Sequence, residues 1–178
     1  MDPEPKAPQP SSSNLVPILL IGGLLVAGVL LRPGRFGGAS EPHTPQPLPP
    51  LDAAGWLNAD AAPATEGKIV VLDAWFTTCG PCLASLPKLA RLHERYGANG
   101  RVQFVGLTFE EEDLRPQVEA VINRVDGFNW PVGYGAGLPL EMLDIHMFPT
   151  LMVFDASGTS VWRGHDIGAL ERQLEKML

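Results

Sequence analysis

Cys79 and Cys82, set in Cys79-Gly80-Pro81-Cys82, are the residues of this 178-residue chain best suited to chemistry, and they are its only cysteines. A disulfide between them would close a very short loop, and the chain-entropy relation gives such a loop only about 2 kcal/mol. Stapling a core therefore explains the pair poorly; redox chemistry or metal binding explains it better. The setting is informative. The apolar run 68–76 precedes the motif, and a stretch with helical spacing, 81–96, follows it. Cys79 would then sit at a helix N-terminus, where the dipole and free N–H groups favour a thiolate, the attacking species in disulfide exchange. Pro81 suits the first helical turn. Cys82 falls one turn on, within reach of a mixed disulfide held on Cys79.

Other chemistries fit less well. One C-x-x-C supplies two thiolates where a closed zinc site needs four ligands, and no second C-x-x-C or H-x₃-H is present. A copper- or zinc-carrying module remains an alternative, as does a non-catalytic docking module, although the latter would not need both cysteines. A peroxiredoxin would carry Thr three residues before its nucleophile, and that position is Phe76.

The elements that must position the pair can be read from periodicity. Residues 68–76 have the continuous apolar character of a central strand buried on both faces. Leu86, Leu89, Ala90, Leu92 and Tyr96 trace a helix over 81–96, with Gly97 as its stop. A second buried strand covers 102–108, a helix 114–125, a short strand 130–134 and a short helix 138–143. Strands at 150–155 and 160–163 are joined by Ala156-Ser157-Gly158-Thr159, a hairpin signal. A closing helix follows over 167–178, with Asp166 as its N-cap. Alternating strands and helices followed by a hairpin predict an α/β three-layer sandwich with a mixed central sheet.

With these elements in place, residues 66–178 resemble the thioredoxin superfamily, and more closely its membrane-anchored TlpA-like branch. Asp73 and Trp75 stand six and four residues before Cys79, Pro87 five after Cys82, Phe148-Pro149-Thr150 before a strand, and Gly164 after the last strand. The segment between Thr108 and Leu138 is similar to the insertion of the TlpA-like branch. The resemblance implies a thiol–disulfide oxidoreductase that needs no cofactor and acts on protein disulfides. It implies that Asp73 is a buried carboxyl, raised in pKa, relaying protons to and from Cys82. It also implies a cis bond before Pro149 and a substrate-facing surface built from Trp75, Gly80, Pro81, Phe148 and Pro149, with Trp75 packing in the core first. Thr78 stands where the family usually has Trp, which makes the surface beside the nucleophile more polar. The branch often places a Glu near the end of the strand after the active-site helix; Glu110 and Glu111 both qualify. The Gly-Pro pair points to a reductant.

The front of the chain is different in kind. More than half of its 18 prolines lie in the first fifty residues. Residues 1–14 read as disordered. Residues 15–31 are apolar, uncharged and roughly 26 Å long as a helix, enough to span a bilayer core. Arg32 and Arg35 between this run and Gly37-Gly38-Ala39, with Asp2 and Glu4 at the start, favour an uncleaved anchor over a signal peptide. Residues 32–50 read as a Pro-rich linker and 51–178 as the catalytic domain. The resemblance places that domain on the periplasmic or exoplasmic side. Arg32 and Arg35 argue the other way under the positive-inside rule, by a small margin. A reducing dithiol outside the cytoplasm would need a transmembrane electron donor. The net charge of −7 with no basic block argues against nucleic acid as a partner.

Overall fold

The computed structural model describes residues 44–178. The predicted disordered start and anchor (15–31) lie outside the described residues. Among the described residues no helix is long and apolar enough to cross a membrane.

Six strands form one mixed sheet: β1 (Gly55–Leu57), β2 (Ile69–Ala74), β3 (Val102–Leu107), β4 (Val132–Tyr134), β5 (Thr150–Phe154) and β6 (Ser160–Gly164), in the spatial order β1-β4-β3-β2-β5-β6. β2, β3 and β4 run parallel, while β1, β5 and β6 pair antiparallel. The helices are α1 (Gly80–Tyr96), α2 (Arg115–Ile122), α3 (Gly137–Met142) and α4 (Ile167–Met177).

β2 lies at the centre, between β3 and β5, and all six of its residues are buried. Its side chains alternate between two cores, as the period of two requires. Val71 joins Trp75, Phe104, Leu151 and the inner faces of α1, α2 and α4. Val70, Leu72 and Ala74 join Val105, Met152, Phe154 and α3. Burial on both sides explains the unbroken apolar run. Because β2 is covered on both sides, the chain that leaves it enters the loop before Cys79 at a fixed place and direction.

The predicted α/β sandwich and its element order are present, with four differences. The α-helix ends at Tyr96 with Gly97 as its C-cap, as predicted, but the cap backbone stays right-handed and the chain makes one 3-10 turn over Gly97–Asn99. The left-handed stop is Gly100, at φ 72°, where a side chain would be strained. The helix expected over 114–125 is shorter and is entered through a 3-10 turn at Glu112–Leu114. β1 is not among the predicted elements, since three residues, of which only Leu57 is fully in the core, give too short a pattern to read. It fits beside β4 because residue 55 is glycine: a Cβ there would come within 2.1 Å of the Tyr134 hydroxyl oxygen. Finally, the linker read over 32–50 merges with the domain before its end. Gln46 and Leu48 bond the backbone of the β5–β6 hairpin at Ser160 and Gly158, and Leu48 packs on the α3-side core. Alternating prolines hide this docking, because they suit an extended edge segment as well as a free one.

Candidate functional site

α1 begins where β2 has delivered the chain. Cys79 is its N-cap, in extended conformation, and its sulfur accepts the Cys82 N–H at 3.2 Å. Pro81 occupies the first turn, as foreseen. The two cysteines are joined in a disulfide, with Cα atoms 5.2 Å apart. Cys79 keeps a narrow exposed edge (5 %) while Cys82 has none (0 %), so of the two only Cys79 reaches the surface. Gly80 and Pro81 beside it are exposed. Reduced, Cys79 would gain from the same N–H and from the positive end of α1 as a thiolate.

The Phe148–Pro149 bond is cis, as expected for this segment. Pro149 is buried, and its carbonyl oxygen lies 2.5 Å from Nδ1 of His165, on the loop after β6. Since a carbonyl only accepts, the imidazole donates from Nδ1. Phe148 is half-buried and meets Phe76 and Phe109, the three ring centroids lying 5.3–5.6 Å apart. Phe76 stands three residues before Cys79 and Phe148 borders the cis bond. The aromatic cluster therefore spans both chain segments of the site.

Trp75 corrects one expectation. It is fully buried and packs on Phe128 at 5.8 Å, so it belongs to the core and presents no wall to a substrate.

Asp73 shares the face of β2 that Val71 presents to α1. It is 2 % exposed, and burial pushes its carboxyl up to about 7. Its strand partner on β3 is Gly106. A Cβ on Gly106 would stand 3.2 Å from the indole nitrogen of Trp75 and 3.4 Å from that of Trp130. Those two nitrogens and Asp73 Oδ2 are buried without a hydrogen-bond partner. Three orphaned polar atoms thus gather on one side of the sheet around a position that only hydrogen fills. Neither Gly106 nor Trp130 could be picked from the sequence, because both look like ordinary core residues.

Between the two candidate glutamates the geometry decides. Glu110 is buried, and its carboxylate accepts the backbone N–H of Thr77 at 3.0 Å, the Thr77 hydroxyl, and the Thr108 hydroxyl at 2.9 Å. It ties the end of β3 to the loop two residues before Cys79. Glu111 is exposed and turned toward Gly135. His93 is half-buried against Phe104 and Trp130, and burial lowers its pKa. His146 is exposed and bonds Asp144 at 2.9 Å. Among the described residues no group of three or more His, Cys, Asp or Glu side chains gathers as a metal site.

A C-x-x-C at a helix N-terminus, a buried acid on the sheet face turned to that helix, and a cis-proline loop joined to the segment before the motif by ring contacts make an arrangement for thiol–disulfide exchange. The family model for thioredoxin-like proteins matches residues 67–160. The chain belongs to the thioredoxin-like family. Within that family its relatives include the protein FixW of Rhizobium leguminosarum, 29 % identical over an alignment 153 residues long that covers 79 % of this chain and 68 % of FixW. The thiol–disulfide oxidoreductase ResA of Halalkalibacterium halodurans is 28 % identical over 114 residues, 64 % of this chain and 62 % of ResA. The chain thus spans about two thirds of these relatives' length. A thiol–disulfide isomerase from Corynebacterium glutamicum shares the thioredoxin-like fold, with a TM-score of 0.63 at 22 % identity over 74 % of this chain and 96 % of that one. The chain is of the thiol–disulfide oxidoreductase kind, with its Cys-X-X-Cys pair at residues 79–82.

Proposed function

We propose that the protein reduces disulfides of extracytoplasmic proteins through Cys79 and Cys82. The observation that carries this is the pairing of an edge-exposed Cys79 with a wholly buried Cys82, on a helix packed over the sheet face that holds the buried carboxyl of Asp73. Cys79 thiolate attacks a substrate disulfide, one substrate thiolate leaves, and the mixed disulfide forms on Cys79. Cys82 then attacks that bond and releases the second substrate thiol, leaving the 79–82 disulfide. Asp73, near neutrality in pKa, takes the Cys82 proton in this step. The direction rests on the Gly-Pro pair between the cysteines. Titration against a dithiol buffer tests it: a two-electron potential near the thioredoxin value of about −270 mV is expected, and one near about −120 mV, as in strong oxidants, would reverse it.

The compartment belongs to the same proposal. Residues 15–31 anchor the chain in the cell membrane, the domain faces outward, and a transmembrane donor returns electrons to the 79–82 disulfide. The apolar span, the Pro-rich segment and the resemblance to anchored TlpA-like proteins support this reading against the weak bias of Arg32 and Arg35. A C-terminal alkaline phosphatase fusion should be active and a fluorescent protein fusion dark. The reverse pattern would move the domain and its substrates into the cytoplasm, without touching the dithiol chemistry.

A further inference from the structure

A groove of about 720 Å³ runs between α1 and the start of α4. Pro81 of the dithiol motif lines it, as does His165, whose ring bonds the carbonyl of Pro149. The groove therefore adjoins the motif and the loop packed over it. Its charge is at odds with the rest of the molecule. The chain carries −7 overall, yet α1 lines this groove with Lys88, Arg91 and Arg95, spaced by three and four residues and so on one helix face. The facing carboxylates are both engaged. Asp166 caps α4 by accepting the Ala169 N–H at 2.8 Å, and Glu171 pairs with Arg95 at 2.5 Å. Lys88 and Arg91 are exposed and make no ion pair among the described residues.

We propose that this groove is a specificity subsite for acidic residues flanking the cysteine of the substrate disulfide, with Lys88 and Arg91 as the groups that select them. This rests on the exchange reaction proposed above. A polypeptide whose cysteine sits on Cys79 must lay its neighbouring residues on what borders the motif, and on the Pro81 side that is this groove. The spacing follows from helix geometry. At about 1.5 Å per residue, Lys88 and Arg91 lie roughly 13 and 18 Å along the axis from Cys79, and their side chains lean back toward the N-terminus. An extended substrate covers that span with roughly three to five residues. The carboxylates recognised are those three to five positions from the reacting cysteine.

The test uses the full chain, re-reduced in each cycle by a dithiol whose direct reaction is subtracted, and three peptide disulfides that carry two Asp, two Asn or two Lys residues four and five positions from the cysteine. A small neutral disulfide, 2-hydroxyethyl disulfide, measures wild-type dithiol chemistry without the groove. For the wild type, kcat/KM should favour the Asp peptide over the Asn peptide by roughly three- to tenfold, as two exposed ion pairs allow, through KM rather than kcat. The preference should fade at about 1 M salt. Lys88→Ala/Arg91→Ala should abolish it, and Lys88→Glu/Arg91→Glu should turn it toward the Lys peptide, a gain that an unfolded variant could not show. Equal rates for the three peptides, or an Asp preference that survives the double substitution, would overturn the subsite. Failure to reduce the small neutral disulfide would instead overturn the exchange reaction itself.

Discussion

Asp73→Asn is expected to stabilise the oxidised protein by up to about 4 kcal/mol at pH 8.5 and to change nothing near pH 3. The folded carboxyl has its pKa raised by burial to about 7 from 3.8, and a displacement of that size is worth about 4 kcal/mol. The sign follows from proton binding. Between the two values the folded state holds a proton that the unfolded state has lost, so stability is fully present below the unfolded pKa and drains away as pH rises through the folded one. Asn has no proton to lose, and the drain disappears. Urea unfolding at pH 3, 5 and 8.5 measures the difference between the two proteins, which should widen with pH. A constant difference would mean that the carboxyl is not perturbed. The same substitution should cost function. The resolving attack by Cys82 should slow on the order of 10²-fold, as loss of a positioned base does, while the first attack by the edge-exposed Cys79 changes much less. Single-turnover kinetics separate the two steps, and an unchanged resolution rate would leave Asp73 a structural residue.

Cys79→Ser should reduce turnover of an insulin-type disulfide to the uncatalysed rate. The exposure difference fixes this asymmetry: Cys82 is sealed on the buried face of α1 and meets a disulfide only when Cys79 presents one. Cys82→Ser should retain the first attack and lose the second. Normal turnover by Cys79→Ser would remove the exchange reading.

Much of this site was legible because its parts are local. The strand, the motif and the start of α1 are contiguous, and each residue type in Cys79-Gly80-Pro81-Cys82 has a local reason to be there. The cap at Asp166 is likewise readable from its neighbours in sequence, whereas the cis bond at Pro149 is legible only through the family resemblance. What escaped depends on contacts across the sheet. Glu110 and Glu111 are adjacent carboxylates after the same strand, and only the fold shows that the first turns inward to Thr77. Gly106 matters because Asp73 faces it on the next strand. The family resemblance gives Trp75 a second role at the surface that its complete burial denies. The docking of Gln46 and Leu48 on the hairpin joins residues more than one hundred positions apart, which no periodicity reports.

The most direct test of the central claim is the intact mass of Cys82→Ser after mixing the reduced variant with a peptide disulfide. The chain has no other cysteine than Cys79 to react in this variant. The account predicts an adduct of one peptide half, held through Cys79, reversible by a dithiol and far longer-lived than any adduct of the wild type. No adduct, or one that decays as fast as in the wild type, would contradict attack by Cys79 and resolution by Cys82.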